Sequence, residues 1–421
     1  MIVITHPAPG VTLRCCQDSR FKQGCLSFQL VRPMDSATAS MNALIPSVLL
    51  RGTRRCPNLR AITQQLDELY GAAVSPLVRR VGDYQITGLY CGFMDDRFAL
   101  PGDQVLHPML RFLEELLLDS PLEDGGFDCA FVESEKKNLI STIESELNDK
   151  RAYAMGRLLR IMCSADTFGL PRLGEPEQVA AIDAKSLYRH YQNILQTSPI
   201  QIFYVGSASA QVVSELLQPL LRKLPRNPLI LEPQTGFHPC EGSHVEQTMD
   251  VTQGKLCMGF TTPITNRDPD FPAMQVMNVI FGSGMTSKLF VNVREKMSLC
   301  YSIGSGYYGT KGIVTVAAGI DFDKEQLVRQ EVLHQLQLCR DGQITDAELN
   351  AAREAVINSL LTTHDSPGSI EGFYATAALS GLALDYDSYL AAVQQVTLED
   401  VVKAANTLQL HTTYFLKGGS Q

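Results

Sequence analysis

Phe281-Gly-Ser-Gly-Met-Thr-Ser-Lys-Leu-Phe290, continued by Val293-Arg-Glu-Lys-Met-Ser-Leu-Cys-Tyr-Ser302, sets a loop of small residues before a helix that closes on Arg-Glu-Lys, with a Leu-x-Tyr behind it. Around this run the periodicity predicts a strand over Lys255 to Thr261, helices over Phe271 to Phe281 and Thr286 to Lys296, and strands over Cys300 to Tyr308 and Gly312 to Asp321. A helix over Lys324 to Cys339 completes the unit, and Thr345-Asp-Ala-Glu348 is a capping box that opens another helix running toward Leu361.

The first half of the chain repeats that order. A strand over Cys25 to Arg32 precedes helices at Met41 to Leu50 and Leu59 to Leu69. Two strands, Val74 to Arg80 and Tyr84 to Phe93, then turn near Gly82-Asp83. Helices over Val105 to Leu118 and Phe127 to Glu146, and a strand over Ile200 to Gly206, follow. Sliding the chain by about 227 positions brings the halves into correspondence, the mark of a duplicated domain. Prolines from Leu224 to Pro239 interrupt the pattern, as a linker or edge strand would. The expectation is an α+β protein of two tandem domains, residues 1–223 and 242–421, joined by a linker at 224–241, each a mostly antiparallel sheet packed with helices.

Composition narrows the function. The chain has 421 residues, 45% hydrophobic and 19% charged, with a net charge of −9. That balance lacks the basic footprint of a nucleic-acid binder, and neither DNA nor an anionic membrane is an expected partner. No apolar run reaches the ~18 residues of a membrane span. Met1 to His6 reads as a first strand, without the features of a signal peptide. Eleven scattered cysteines with no C-x-x-C point to reduced thiols and a cytoplasmic location. The eight histidines show no i, i+3 or i, i+4 pairing, and no G-x-S-x-G elbow is present. Gly304-Ser-Gly-Tyr-Tyr-Gly309 matches a dinucleotide-binding pattern, but a strand follows where a helix is needed, so it reads as a relaxed hairpin.

The run from Phe281 to Ser302 closely resembles the second-domain signature of the M16 (pitrilysin, insulinase, mitochondrial processing peptidase) family, and the duplicated layout extends the resemblance over the whole chain. It implies tandem domains of the LuxS/metallohydrolase-like fold. It also implies that Arg294 and Tyr301 hold a substrate backbone near the scissile bond. The bland alternative is that Arg294 faces a helix C-terminus and Tyr301 packs in a strand.

In the first domain the family carries an H-x-x-E-H zinc motif ahead of an aromatic-Lys-Gly-Thr, which is similar to Leu50-Arg51-Gly52-Thr53 here. Counting back puts Ala43, Pro46 and Ser47 at the His, Glu and His positions. The family's third ligand, a Glu in a later helix, falls on Thr142, although a shift of two would reach Glu144. The resemblance therefore implies no metal or catalytic residue in this chain, with zinc expected in a partner.

The ends of the chain and Lys150-Arg-Ala-Tyr153 resemble a bacterial branch of paired cytosolic members, one of them linked to maturation of elongation factor P. The implied role is a non-catalytic subunit that completes a composite site with an H-x-x-E-H partner and a peptide or protein substrate, as a heterodimer or homodimer. The alternatives are a structural scaffold, or a peptide-binding homologue that adds peptides to a sheet edge.

Overall fold

The computed structural model describes residues 2–146, 148–231, 236–238 and 240–419. Its strands are β1 (Ile2–Ala8), β2 (Val11–Gln17), β3 (Gln23–Pro33), β4 (Ala73–Val81), β5 (Tyr84–Met94), the short pair β6 (Leu122–Glu123) and β7 (Gly126–Phe127), β8 (Ile200–Gly206), β9 (His244–Met249), β10 (Gly254–Thr261), β11 (Ser302–Tyr308), β12 (Ile313–Ile320) and β13 (Gln409–Gly418). One sheet runs β1-β2-β8-β3-β5-β4 and another β11-β12-β10-β13-β9. Within each, one pairing is parallel, β2 with β8 and β13 with β9, and the others are antiparallel.

Read from opposite ends, β4-β5-β3-β8-β2 and β11-β12-β10-β13-β9 are the same order, and the parallel pair falls at the same place. The chain is thus α+β with the same topology twice, β1 being an added edge in the first copy. Two elements of the repeat were not anticipated: β9, which follows the proline-rich stretch, and β13, which comes after a long helical run. Some of the expected linker at 224–241 lies outside the described residues.

The compact units are not continuous in sequence. One comprises 1–144, 171–232 and 363–377, the other 145–170, 233–362 and 378–421. Each half therefore lends a segment to the other. In the second unit the helix Lys150–Met162 packs Ala154 and Leu158 against Cys257, Ala317, Tyr414 and Leu416. In the first, Ile370 of the helix Pro367–Ser380 joins Cys16, Cys25 and Val205.

Both lent segments are held by a buried carboxylate. Glu371 receives a two-pronged ion pair from Arg79 at 2.9 and 2.8 Å, with hydrogen bonds at 2.7 Å from Ser27 Oγ and from Gln29 Nε2. Asp166 meets Lys311 Nζ at 2.9 Å, both side chains being at most 1% exposed, and accepts from the backbone N–H of Phe168 at 2.7 Å and of His238 at 3.0 Å. Burial opposes ionisation of Asp166, but the Phe168 N–H, Lys311 and the His238 N–H outweigh it and hold its carboxyl below the ordinary range.

The arginines at 51, 54, 55 and 79 are each paired with a carboxylate, on Glu135, Asp119, Glu115 and Glu371. Among the described residues no helix is long and apolar enough to cross a membrane.

Removing one partner of a buried pair strands the other charge. Lys311→Met is expected to cost about 3–5 kcal/mol, measured by denaturant unfolding, and Lys311→Met with Asp166→Leu markedly less. Because the Asp166 pKa is depressed on folding, its contribution is present above the ordinary carboxylate range. It should fade as pH falls through the folded value, and that acid-side loss should be absent from the double variant.

Candidate functional site

The positions that resemblance assigns to zinc ligands lie in the first unit. Ala43, Pro46 and Ser47 sit on the helix Ala39–Leu49, which buries nine of its eleven residues, Ala43 and Pro46 among them. Such a helix is core rather than the wall of a site. A proline inside a helix costs ~3 kcal/mol, and this helix continues past Pro46 to Leu49.

The surroundings explain why. The ring removes the N–H that would bond to the carbonyl of Asn42, and Thr87 Oγ1 donates to that carbonyl instead, at 2.6 Å. The Asn42 side chain is tied down too, donating to Gln85 Oε1 at 2.9 Å, while its Oδ1 lies 2.7 Å from His190 Nε2. Burial, and then the nearby Arg32 charge, push the His190 pKa down to about 4, so the ring is neutral at pH 7.

Thr142, on the helix Cys129–Ser145, is exposed and donates back to the Asn138 carbonyl at 2.9 Å. Glu135 of the same helix pairs with Arg51 at 3.2 Å, so an ion pair joins this helix to the segment that follows Ala39–Leu49. The donor set does not fit zinc: a buried methyl, a proline ring and two neutral hydroxyls supply neither thiolate, imidazole nor carboxylate. Among the described residues no group of three or more His, Cys, Asp or Glu is placed to hold a metal ion.

Arg294 and Tyr301 lie in the second unit. The helix Phe271–Asn278 passes into a π-helical turn, Val279–Ser283, and a π-helix, Leu289–Lys296, follows the loop. Wide helices of this kind recur at functional sites because they re-aim side chains. Arg294, in the last turn, stacks over the Phe290 ring at 4.6 Å, lies 3.4 Å from Glu295 and keeps 39% of its side chain exposed.

Ser298, at φ 52°, turns the chain back so that Tyr301 stands at the mouth of β11 with 62% exposure. Its hydroxyl donates to Asp321 at 2.9 Å, and Asp321 in turn pairs with Lys324 at 2.7 Å. The hydrogen bond to Asp321, with the carboxylate's charge, raises the Tyr301 pKa, so the phenol stays protonated and a donor. Both residues line one cleft of about 380 Å³ with Asp321 and Lys324.

Asp321 and Lys324 carried no signal in the sequence, since an exposed Asp and Lys three apart are common on any surface. Gly304 to Gly309 occupy β11 and its turn, a strand as the sequence indicated and not a phosphate loop.

Thr87→Val should orphan the Asn42 carbonyl and lower stability by about 1–3 kcal/mol in thermal or denaturant unfolding, with Thr87→Ser recovering most of it. His190 has a depressed pKa, so the unfolded chain takes up more protons between about 4 and 6.5. Stability is expected to fall with pH through that window, a fall that His190→Gln removes.

A family profile described as "Peptidase M16 inactive domain" matches residues 181–356. A Bacillus subtilis protein described as "Probable inactive metalloprotease YmfF" is 31% identical over 409 residues, 97% of this chain and 96% of its own. A crystal structure of a conserved protein from Enterococcus faecalis superposes with a TM-score of 0.91 at 25% identity, over 100% of this chain and 99% of that one. The structure of a peptidase M16 inactive domain from Pseudomonas fluorescens gives 0.81 at 16% identity, over 100% and 98%. With a relative this similar along almost its full length, the chain belongs to the M16 peptidase family, as an inactive homologue.

Proposed function

We propose that this chain is the non-catalytic member of a two-subunit cytoplasmic peptidase. A zinc-bearing partner supplies metal and base, and this chain supplies Arg294 and Tyr301 to position a peptide substrate. The observation that carries this reading is the exposure of the pair in one open cleft, 39% for the Arg294 side chain and 62% for Tyr301. Residues kept for the fold are packed, as Ala43 and Pro46 are. Tyr301 instead spends its hydroxyl on an exposed carboxylate, so a substrate carbonyl can replace Asp321 as acceptor at little net cost.

A scaffold role gives these two residues nothing to do, because exposed pairs such as Asp321 with Lys324 contribute little stability. Eleven free cysteines accord with a reducing compartment.

The test is peptidase activity, on a broad peptide mixture, of the complex that co-purifies with the chain from its source. Tyr301→Phe is expected to lower turnover by about 10²-fold and Arg294→Ala to raise KM as well, with assembly unchanged. Recovery of no zinc-bearing partner, or unchanged activity in both variants, would overturn the reading.

A further inference from the structure

Tyr301 does not hold Asp321 by itself. Its hydroxyl meets that carboxylate at 2.9 Å, and Lys324 Nζ meets it at 2.7 Å. Hydrogen bonds to a charged group are shorter and stronger than neutral ones, and these distances are of that kind. Arg294 lines the same cleft of about 380 Å³ together with Cys300, Asp321 and Lys324. Cys300 reports where the two cations lie: burial pushes its thiol up to about 11, while Arg294 and Lys324 both pull the other way. A phenol, an ammonium and a guanidinium therefore border one opening, and two of them already close on a carboxylate.

The phenol is held there by its own main chain. The Tyr301 N–H donates to the Gly319 carbonyl at 2.9 Å, two residues before Asp321, so donor and carboxylate stand on neighbouring strands.

Asp321 has another place to be. It precedes the 3₁₀ turn Phe322–Lys324, which runs on into the helix Glu325–Arg340. Its backbone is extended, φ −72° and ψ 152°, the conformation from which a short acidic side chain reaches the first N–H groups of a helix. Asp95, Asp149, Asp166, Asp183 and Asp385 stand at the same position with extended backbone, and each accepts from a backbone N–H of the turn it opens. Asp321 makes no such bond, because its carboxylate is turned to Tyr301 and Lys324 instead. The diverted side chain leaves uncapped a helix start that favours a negative charge.

One rotation separates two arrangements. In the structure Asp321 fills the donors. Turned toward the N–H groups of Asp323 and Lys324, it would cap the turn and leave the Tyr301 hydroxyl and the Lys324 ammonium facing the cleft. The cap bond replaces part of what is given up, so the two arrangements lie close in free energy. What completes the second is a group with the shape and charge of the one that left. A carbonyl oxygen can satisfy Tyr301, whereas a carboxylate satisfies Tyr301 and Lys324 together. Arg294, with 39% of its side chain exposed, offsets the added negative charge.

We propose that this cleft is a carboxylate site with Asp321 as its resident occupant: an acidic peptide displaces Asp321 from Tyr301 and Lys324, and Asp321 turns to cap the helix it precedes. The proposal rests on the reading of Arg294 and Tyr301 as substrate contacts. It adds the class of substrate they favour, a peptide with an acidic side chain or a free C-terminal carboxylate. It also adds a competitor within the chain that disfavours neutral peptides.

The test is isothermal titration calorimetry on the chain alone, with N-acetylated Ala-Thr peptides of one length. One version carries a central Glu and a C-terminal amide, one a central Gln and the amide, and one the Gln with a free C-terminal carboxylate. The backbone N–H signals of Asp323 and Lys324 are followed by NMR in the same titrations.

The Glu peptide, the acid-ended peptide or both should bind about tenfold tighter than the neutral one, and which of them does so names the source of the carboxylate. Lys324→Met and Tyr301→Phe are expected to erase the preference, and Asp321→Ala to tighten binding of the acidic peptide by removing its competitor. In the wild type the Asp323 or Lys324 N–H should shift downfield with the acidic peptide, a shift absent from Asp321→Ala. If Asp321→Ala loosens the fold, Asp321→Ser keeps a cap acceptor and takes its place in the binding comparison.

No binding of any peptide, equal binding of all, or a preference that survives Lys324→Met and Tyr301→Phe would overturn the proposal. So would acidic-peptide binding that is unchanged or weaker in folded Asp321→Ala, or binding in the wild type without the N–H shift. These readouts use no partner subunit, whereas the function proposed above is decided by the activity of the complex, so the two fail separately.

Discussion

One buried carboxylate in each unit anchors a helix that the other half of the chain provides. Glu371 and Asp166 are each almost wholly shielded from water, and each is met by a cation and by further donors. A charge so placed is tolerable only with its partners in position, so it fixes where the lent segment lies more sharply than apolar packing could. In each unit the lent helix packs on the sheet, through Ala154 and Leu158 in one and Ile370 in the other.

From that common plan the two copies diverge in chemistry. The first has become packed: a nearly all-buried helix runs where the metal motif would be, a proline is accommodated by Thr87, and Asn42, Gln85 and His190 share their polar groups. An ion pair between Arg51 and Glu135 links the elements on which ligands would stand. The second copy has stayed open. Its π-helical turns and its exposed Arg294 and Tyr301 border clefts, where side chains are free to meet another molecule. The two copies thus share one topology but differ in how much of their surface is closed by packing.

Much of this was legible from local signals. Alternation marked β4 and β5, and the capping box at Thr345 forms as read, with Glu348 accepting from the Thr345 N–H at 2.8 Å and the Glu348 N–H donating to Thr345 Oγ1 at 3.2 Å. The helix containing Pro46 was harder, because its repair comes from Thr87 on a strand 41 positions on, which no local pattern records. β9 and β13 were missed for a related reason. β13 is a central strand whose partners β10 and β9 lie far back in the chain, so its character comes from neighbours and not from its own periodicity.

By itself the sequence determined the duplicated α+β plan, with Arg294 near the end of a helix and Tyr301 at the head of the strand that follows it. These depend on residue type and short-range order. Only the tertiary structure decided that residues 145–170 and 363–377 change places between the halves, and that Asp321 holds Tyr301. Each of these joins groups distant in sequence or face, and such contacts arise when strands pair and helices cover them, which local propensity does not encode.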